Sequence, residues 1–190
     1  MNKFKIIKHS IKSLLTLEPR VFQDHRGEFI ETYHKSNFRD LGIFDEFVQD
    51  NHAKSTFGVL RGLHLQSSDA SQSKLLRCVY GEVFDVAVDL RLDSPTKGQW
   101  VGEVLSSKNN KLFYIPAGFA HAFLTLSDIS IVNYKLSDFY NPQKESAIYP
   151  FDKDLNISWS DYINCDEIIL SDKDKNAQSY KQFLEGINEN

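Results

Sequence analysis

Three clusters of polar side chains interrupt apolar, strand-like stretches of the chain. The first, DHRGEFIETY (24–33), places Arg26, Glu28 and Glu31 around a glycine suited to a tight turn. By itself it reads as a hairpin with a solvated charged edge. The second, VQDNHAKSTFGVLRGLHLQ (48–66), embeds Gln49, Asn51, Arg61, His64 and Gln66 in strand-like sequence. Burying that many polar groups is costly unless each finds a partner, and a ligand pocket would supply partners. A lone histidine on such a strand is more often a satisfied core residue; the density of polar groups shifts the balance toward a site. Arg61 and His64 have opposite strand parity, so both face one pocket only if Gly62 marks a bulge or twist. The third cluster runs through IPAGFAHAF (115–123) and IVNYKLSDFY (131–140). Pro116 and Gly118 build a turn, His121 returns to a strand, and Tyr134 and Tyr140 sit in or just after the next one. A tyrosine on a strand is usually core packing; an acid in a pocket is the sharper alternative for Tyr134.

The elements that must position these groups read as short strands separated by turn residues. Strands are expected over 3–8, 16–22, 28–34, 46–54, 58–66, 74–80, 82–91, 99–106, 111–115, 120–126 and 129–137. Turns are expected at Asp24 to Gly27, Ser67 to Ser73, Gly81, Asp93 to Gly98 and Ser107 to Asn110. Short helices are expected near Lys35 to Leu41 and Asn176 to Leu184. Many short strands and few helices predict an all-β fold, an antiparallel sandwich or barrel. In EVFDVAVDLR (82–91), Phe84, Val86, Val88 and Leu90 share one face, which is packed. Asp85, Ala87 and Asp89 share the other, which lines a polar cavity or meets solvent. Residues 140–190 are less regular and read as a tail wrapping the sandwich. No linker or repeat divides the chain, so one domain is expected over 1–190.

Composition agrees with a globular chain: 190 residues, 41% hydrophobic, 25% charged and 13% aromatic. A domain of this size needs no disulfide or metal staple. The formal net charge of −4, with both signs mixed along the chain, argues against nucleic acid as partner. No apolar run reaches membrane-spanning length. The basic N-terminal stretch lacks a continuous apolar core and reads as folded structure rather than a signal peptide. Two cysteines without CxxC spacing, Cys78 and Cys165, read as reduced cytosolic thiols.

In order along the chain, DHRGEFIETY, VQDNHAKSTFGVLRGLHLQ, QSKLLRCVYGEVFDVAVDLRLDSPTKGQW, LSSKNNKLFYIPAGFAHAFLTLSD, VNYKLSDFYNPQKESAI and ILSDKD resemble the dTDP-4-dehydrorhamnose 3,5-epimerase family. The resemblance spans nearly the whole length. It implies a cupin-like jelly-roll β-sandwich and a cofactor-free, metal-free isomerase acting on a dTDP-linked 4-keto-6-deoxyhexose. It makes His64 the base, Asp174 the carboxylate orienting its imidazole, Lys74 the cation beside the sugar ketone and Tyr134 the opposing acid. Arg26, Glu31, Gln49, Asn51, Arg61, His121 and Tyr140 match positions that hold nucleotide or sugar. Asp172, two residues from Asp174, is the alternative carboxylate. The resemblance further implies a cytoplasmic homodimer in which an N-terminal strand, for which FKII (4–7) is suited, reaches the partner's sheet. Where the family commonly reads GFAHGF this chain has GFAHAF, and the Ala122 methyl either trims the pocket or is harmless. Residues 152–167 match only loosely.

The residue types suit that reaction. A 4-ketone acidifies the hydrogens on C3 and C5, because the carbanion delocalises into an enolate. The chemistry then needs a base on one face, an acid on the other and a cation near the oxygen. Imidazole, with an ordinary pKa of about 6.5, is largely neutral at cellular pH. A metal-dependent cupin would instead place a His-x-His pair where this chain has His64-Leu65-Gln66, a poor site for iron or zinc. A non-catalytic sugar-nucleotide binder would not need His64, Lys74 and Tyr134 together. Within the enzyme class, epimerisation at only C3 or only C5, or of another nucleotide-linked deoxysugar, would use the same groups.

Overall fold

The computed structural model describes residues 3–66 and 71–188. The chain runs β1 (Phe4–Lys8), β2 (Leu15–Pro19), β3 (Val21–Asp24), β4 (Gly27–Ile30), α1 (Lys35–Asp40), β5 (Gln49–Thr56), β6 (Leu60–Gln66), β7 (Lys74–Tyr80) and β8 (Glu82–Asp89). It continues through β9 (Trp100–Ser106), β10 (Leu112–Ile115), β11 (Phe119–Thr125), β12 (Ile129–Leu136), β13 (Glu145–Ala147), α2 (Asp172–Lys175) and α3 (Tyr180–Asn188). Two sheets form, ordered β1-β2-β10-β7-β12-β5 and β13-β6-β11-β8-β9, with β3 and β4 as a separate hairpin. Every pairing between these strands is antiparallel. This is the expected jelly-roll sandwich. Of the turn expected at Ser67 to Ser73, residues 67–70 lie outside the described residues.

Alternation along the strands builds three apolar layers. Leu76, Val83, Ala87, Phe113, Phe123 and Val132 belong to the layer between the two sheets. Phe4, Leu17, Phe38, Leu75 and Leu112 cover the outer face of the first sheet, where α1 sits. Phe84, Val86, Val88, Ala120, Ala122 and Leu124 turn outward from the second sheet onto Ile148, Leu155, Trp159, Tyr180 and Phe183. The tail expected to wrap the sandwich is therefore part of a core. Trp159 is fully buried, with its indole N–H donated to the Pro150 carbonyl at 2.8 Å. Truncating such a side chain costs about 3–5 kcal/mol.

Several expectations need correction. The strand over 16–22 breaks after Pro19, which has no N–H to donate; from Val21 on, the chain pairs with β4 instead of the sheet. The strand over 28–34 stops at Ile30. The helix expected over 176–184 starts at Tyr180, and β13 and α2 lie in the stretch read as irregular. The second face of β8 does not meet solvent, since Asp85, Ala87 and Asp89 are all 0% exposed.

Candidate active site

Between the two sheets opens a cavity of about 440 Å³. Its walls carry Asn51 (β5), Arg61 and His64 (β6), Lys74 (β7), His121 (β11) and Tyr134 (β12), with Tyr140, Glu145 and Asp174 from the later chain. His64 and Tyr134 stand on different sheets, so the cavity has an imidazole wall and a phenol wall.

The parity conflict on β6 is resolved where Gly62 stands. His121 pairs with His64 and Phe123 with Arg61, so two steps on β11 match three on β6. That bulge brings Arg61 and His64 to the same cavity. Gly62 takes φ +115, and a Cβ there would stand 2.4 Å from the His121 carbonyl oxygen. Both facts require glycine.

The tail completes the imidazole wall. Backbone bonds from Ile169 to Gly58 and from Leu60 to Ile169 tie it alongside the start of β6. Ser171 then caps α2, its hydroxyl accepting the Asp174 N–H at 3.1 Å. This first turn aims the Asp174 carboxylate at His64, whose Nε2 lies 2.5 Å from Oδ1. The His64 side chain is 30% exposed and that of Asp174 only 3%, so the ring is reachable and its carboxylate is not. Burial alone would raise the Asp174 carboxyl. Hydrogen bonds from His64, Ser171 and the Gly62 backbone outweigh it and hold the group below the usual range. Asp172, the alternative, is 98% exposed and faces Lys175 at 4.0 Å.

Lys74 is buried, and its ammonium donates to the His64 carbonyl at 3.3 Å. Burial pushes its pKa down to about 8, with Asp85 and then Glu145 opposing the fall. His121 Nε2 lies 3.0 Å from both oxygens of Asp85. At the cavity edge Glu145 accepts from the Tyr140 hydroxyl at 2.7 Å and from Lys173 at 2.5 Å. Among the described residues, no group of three or more His, Cys, Asp or Glu side chains is arranged to hold a metal ion.

Of the sequence-predicted site residues, eight line the cavity: His64, Lys74, Tyr134, Asp174, Asn51, Arg61, His121 and Tyr140. Gln49 stands behind them, its Nε2 donating to Asn51 Oδ1 at 2.9 Å and its Oε1 accepting the Tyr140 N–H. Arg26 and Glu31 are not brought in. Arg26 sits on the β3–β4 turn and pairs with Asp24 at 2.6 Å, while Glu31 binds Lys3 and Asn37. The Ala122 methyl belongs to the outer core and trims nothing in the cavity. Sequence reasoning assigned no site role to Gln72, Glu145 or Asp85. Only Asp85 carried a signal, as a charge on the second face of β8.

This arrangement offers a paired imidazole, a facing phenol and an ammonium in one pocket, which suits removing and returning a proton beside a carbonyl. Comparison with known proteins points the same way. The family profile for dTDP-4-dehydrorhamnose 3,5-epimerase matches residues 8–182. The dTDP-4-dehydrorhamnose 3,5-epimerase of Shigella flexneri is 49% identical over 176 residues, 92% of this chain and 95% of that one. The crystal structure of the Elizabethkingia anophelis enzyme of that name superposes with a TM-score of 0.90 at 45% identity, over 95% of this chain and 98% of that one. A dTDP-6-deoxy-D-glucose-3,5-epimerase from Legionella pneumophila, solved with dTDP-4-keto-L-rhamnose, gives 0.88 at 46% identity over 93% and 92%. With motifs, fold and cavity in agreement along nearly its full length, the chain belongs to the dTDP-4-dehydrorhamnose 3,5-epimerase family.

Proposed function

We propose that the chain epimerises dTDP-4-keto-6-deoxyglucose at C3 and C5, giving dTDP-4-keto-L-rhamnose. The observation that carries this is the His64–Asp174 pair on one wall of a cavity whose other wall presents Tyr134, with Lys74 buried between the sheets. With Nε2–H given to Asp174, His64 keeps the Nδ1 lone pair to take the proton from C3 or C5. Asp174 then stabilises the imidazolium that forms. The electron pair of the broken C–H bond moves onto the ketone oxygen, where the Lys74 ammonium meets it. At about 4 Å and an effective dielectric near 20 such a charge pair contributes about 4 kcal/mol. Tyr134 returns a proton to carbon from the opposite face, which inverts the centre, and exchange with water resets both groups. Asn51, Arg61, His121 and Tyr140 hold the nucleotide and sugar.

Incubation of the keto-sugar nucleotide in heavy water tests this by proton NMR. Deuterium should enter both C3 and C5 as the rhamno-configured ketone appears. His64→Ala should lower exchange by about a hundredfold or more while dTDP affinity changes little. Exchange at one carbon would make the enzyme a single-site epimerase, and full turnover by the variant would overturn the base.

The working form is proposed to be a cytoplasmic homodimer. The β3–β4 hairpin exposes Phe22 (42%) and Phe29 (70%) and carries Arg26 away from its own cavity. Delivered to a partner's cavity, that hairpin would put Arg26 and Glu31 beside the nucleotide. Sedimentation at the mass of one chain would overturn the dimer. Cys78 and Cys165 are free thiols, in keeping with a reducing compartment.

A further inference from the structure

Asp85 is a fully buried carboxylate beneath the cavity, and the mechanism above leaves it without a task. It projects from β8 into the space between the sheets, diagonal to His121 on the neighbouring β11. His121 Nε2 lies 3.0 Å from each of its oxygens, so that nitrogen carries a hydrogen shared between them. The ring is thereby fixed, with Nδ1 as its remaining polar atom. On the facing sheet, Lys74 extends its ammonium into the same interior, where among the described residues it makes one hydrogen bond, to the His64 carbonyl. A buried ammonium with so little hydrogen bonding needs a nearby negative charge.

The groups around the cavity show which charge that is. His64 and Arg61 face it from β6, His121 from β11 and Tyr134 from β12; Glu145 comes from β13 and Asp174 from α2. None of the first four is a carboxylate. Asp174 is engaged by His64, and Glu145 by Lys173 and Tyr140. Among the described residues, Asp85 hydrogen-bonds His121 alone.

We propose that Asp85 is a positioning residue for the reaction: its buried carboxylate locks the His121 ring and supplies the charge that keeps the Lys74 ammonium protonated beneath the substrate ketone. Asp85 also heads the interactions that resist the fall of the Lys74 pKa under burial. The inference rests on the epimerase reading for its kinetic consequences, but the state of Lys74 is readable without substrate.

The test is Asp85→Asn, which keeps the size and one acceptor for His121 while removing the charge, alongside Asp85→Glu, which restores it. The alkaline limb of kcat/KM should move to lower pH by about one unit or more in Asp85→Asn. Activity at neutral pH should fall about tenfold or more, chiefly in kcat, and recover on mild acidification. Asp85→Glu should keep the limb near its original place. Reductive methylation with ¹³C-formaldehyde and NMR of the Lys74 signal, assigned with Lys74→Arg, should show the same downward shift without substrate. An unchanged limb and an unchanged Lys74 titration in Asp85→Asn would overturn the proposal. If Asp85→Asn does not fold, an Asp85→Glu enzyme that folds with a limb displaced downward by a unit would overturn it too. Failure of the parent enzyme to turn over the keto-sugar, with the Lys74 shift intact, would count against the epimerase reading and not against this one.

Discussion

Asp85 and Asp89 stand on the same face of β8, four residues apart, and neither has any exposed surface. Their surroundings differ. Asp89 receives the Arg91 guanidinium at 2.9 and 2.7 Å, the Arg91 backbone N–H, and the hydroxyls of Ser94 and Thr96 at 2.6 Å each. Burial would raise its pKa, but these donors outweigh it and bring the group down to about 2. Asp85 has one neighbouring ring, and there burial prevails and raises the carboxyl. One end of the strand is a turn whose carboxylate is surrounded by donors; at the other the carboxylate has a single imidazole, itself on the cavity wall. Buried polarity alone therefore does not mark a site; the contrast lies in how many donors each carboxylate receives and in what lies beside it.

That comparison can be broken most directly at the turn. Asp89→Ala should destabilise the protein by about 3–5 kcal/mol, because it strands a guanidinium and two hydroxyls. Activity per folded molecule should hardly change. A denaturant midpoint near that of the parent would show that the turn is not a stabilising network. At the other end the sign reverses. Lys74→Met should lower kcat by about a thousandfold, the equivalent of the 4 kcal/mol charge pair, yet stabilise the unliganded protein by about 1–3 kcal/mol at pH 7. The ordinary lysine pKa of 10.5 exceeds the folded value of about 8, so unfolding takes up a proton between those limits. Stability attributable to this group rises across that interval, and below pH 8 its burial cost is fully present. A Tm unchanged or lowered by Lys74→Met would contradict this. The smallest effect lies in acid. With a folded pKa of about 2 against 3.8 ordinarily, Asp89 contributes about 2 kcal/mol above pH 4, lost as pH falls through 2. Asp89→Asn should flatten that loss in urea titrations, whereas Asp85→Asn should leave it in place.

The strands were legible because alternation and turn residues coincide, as around Gly81 and in 82–91. The bulge was legible as a contradiction, since Arg61 and His64 could share a pocket only through Gly62. Local pattern says little where long-range pairing decides. Glu145–Ala147 is too short and polar to announce a strand, and becomes one by pairing with Gln66, Leu65 and His64. The break at Arg20 reflects a change of partner from the sheet to β4. Family resemblance singled out Asp174, while the choice over Asp172 needed the capped turn at Ser171. Arg26 and Glu31 show the opposite case: residues whose motif matches, but whose chain keeps them outside its own cavity.

The His64–Asp174 contact joins positions 110 residues apart. During synthesis most of both sheets can leave the ribosome before Asp174, proposed to orient the base, exists. A chain cut short before Ser171 would carry the sequence of every strand, the phenol and the lysine, yet lack the carboxylate beside the imidazole and the Tyr180 and Phe183 side chains of the outer layer. On the proposed reading, competence for proton transfer is acquired only when α2 docks beside β6, so turnover would report that the chain has been made and folded through Asp174.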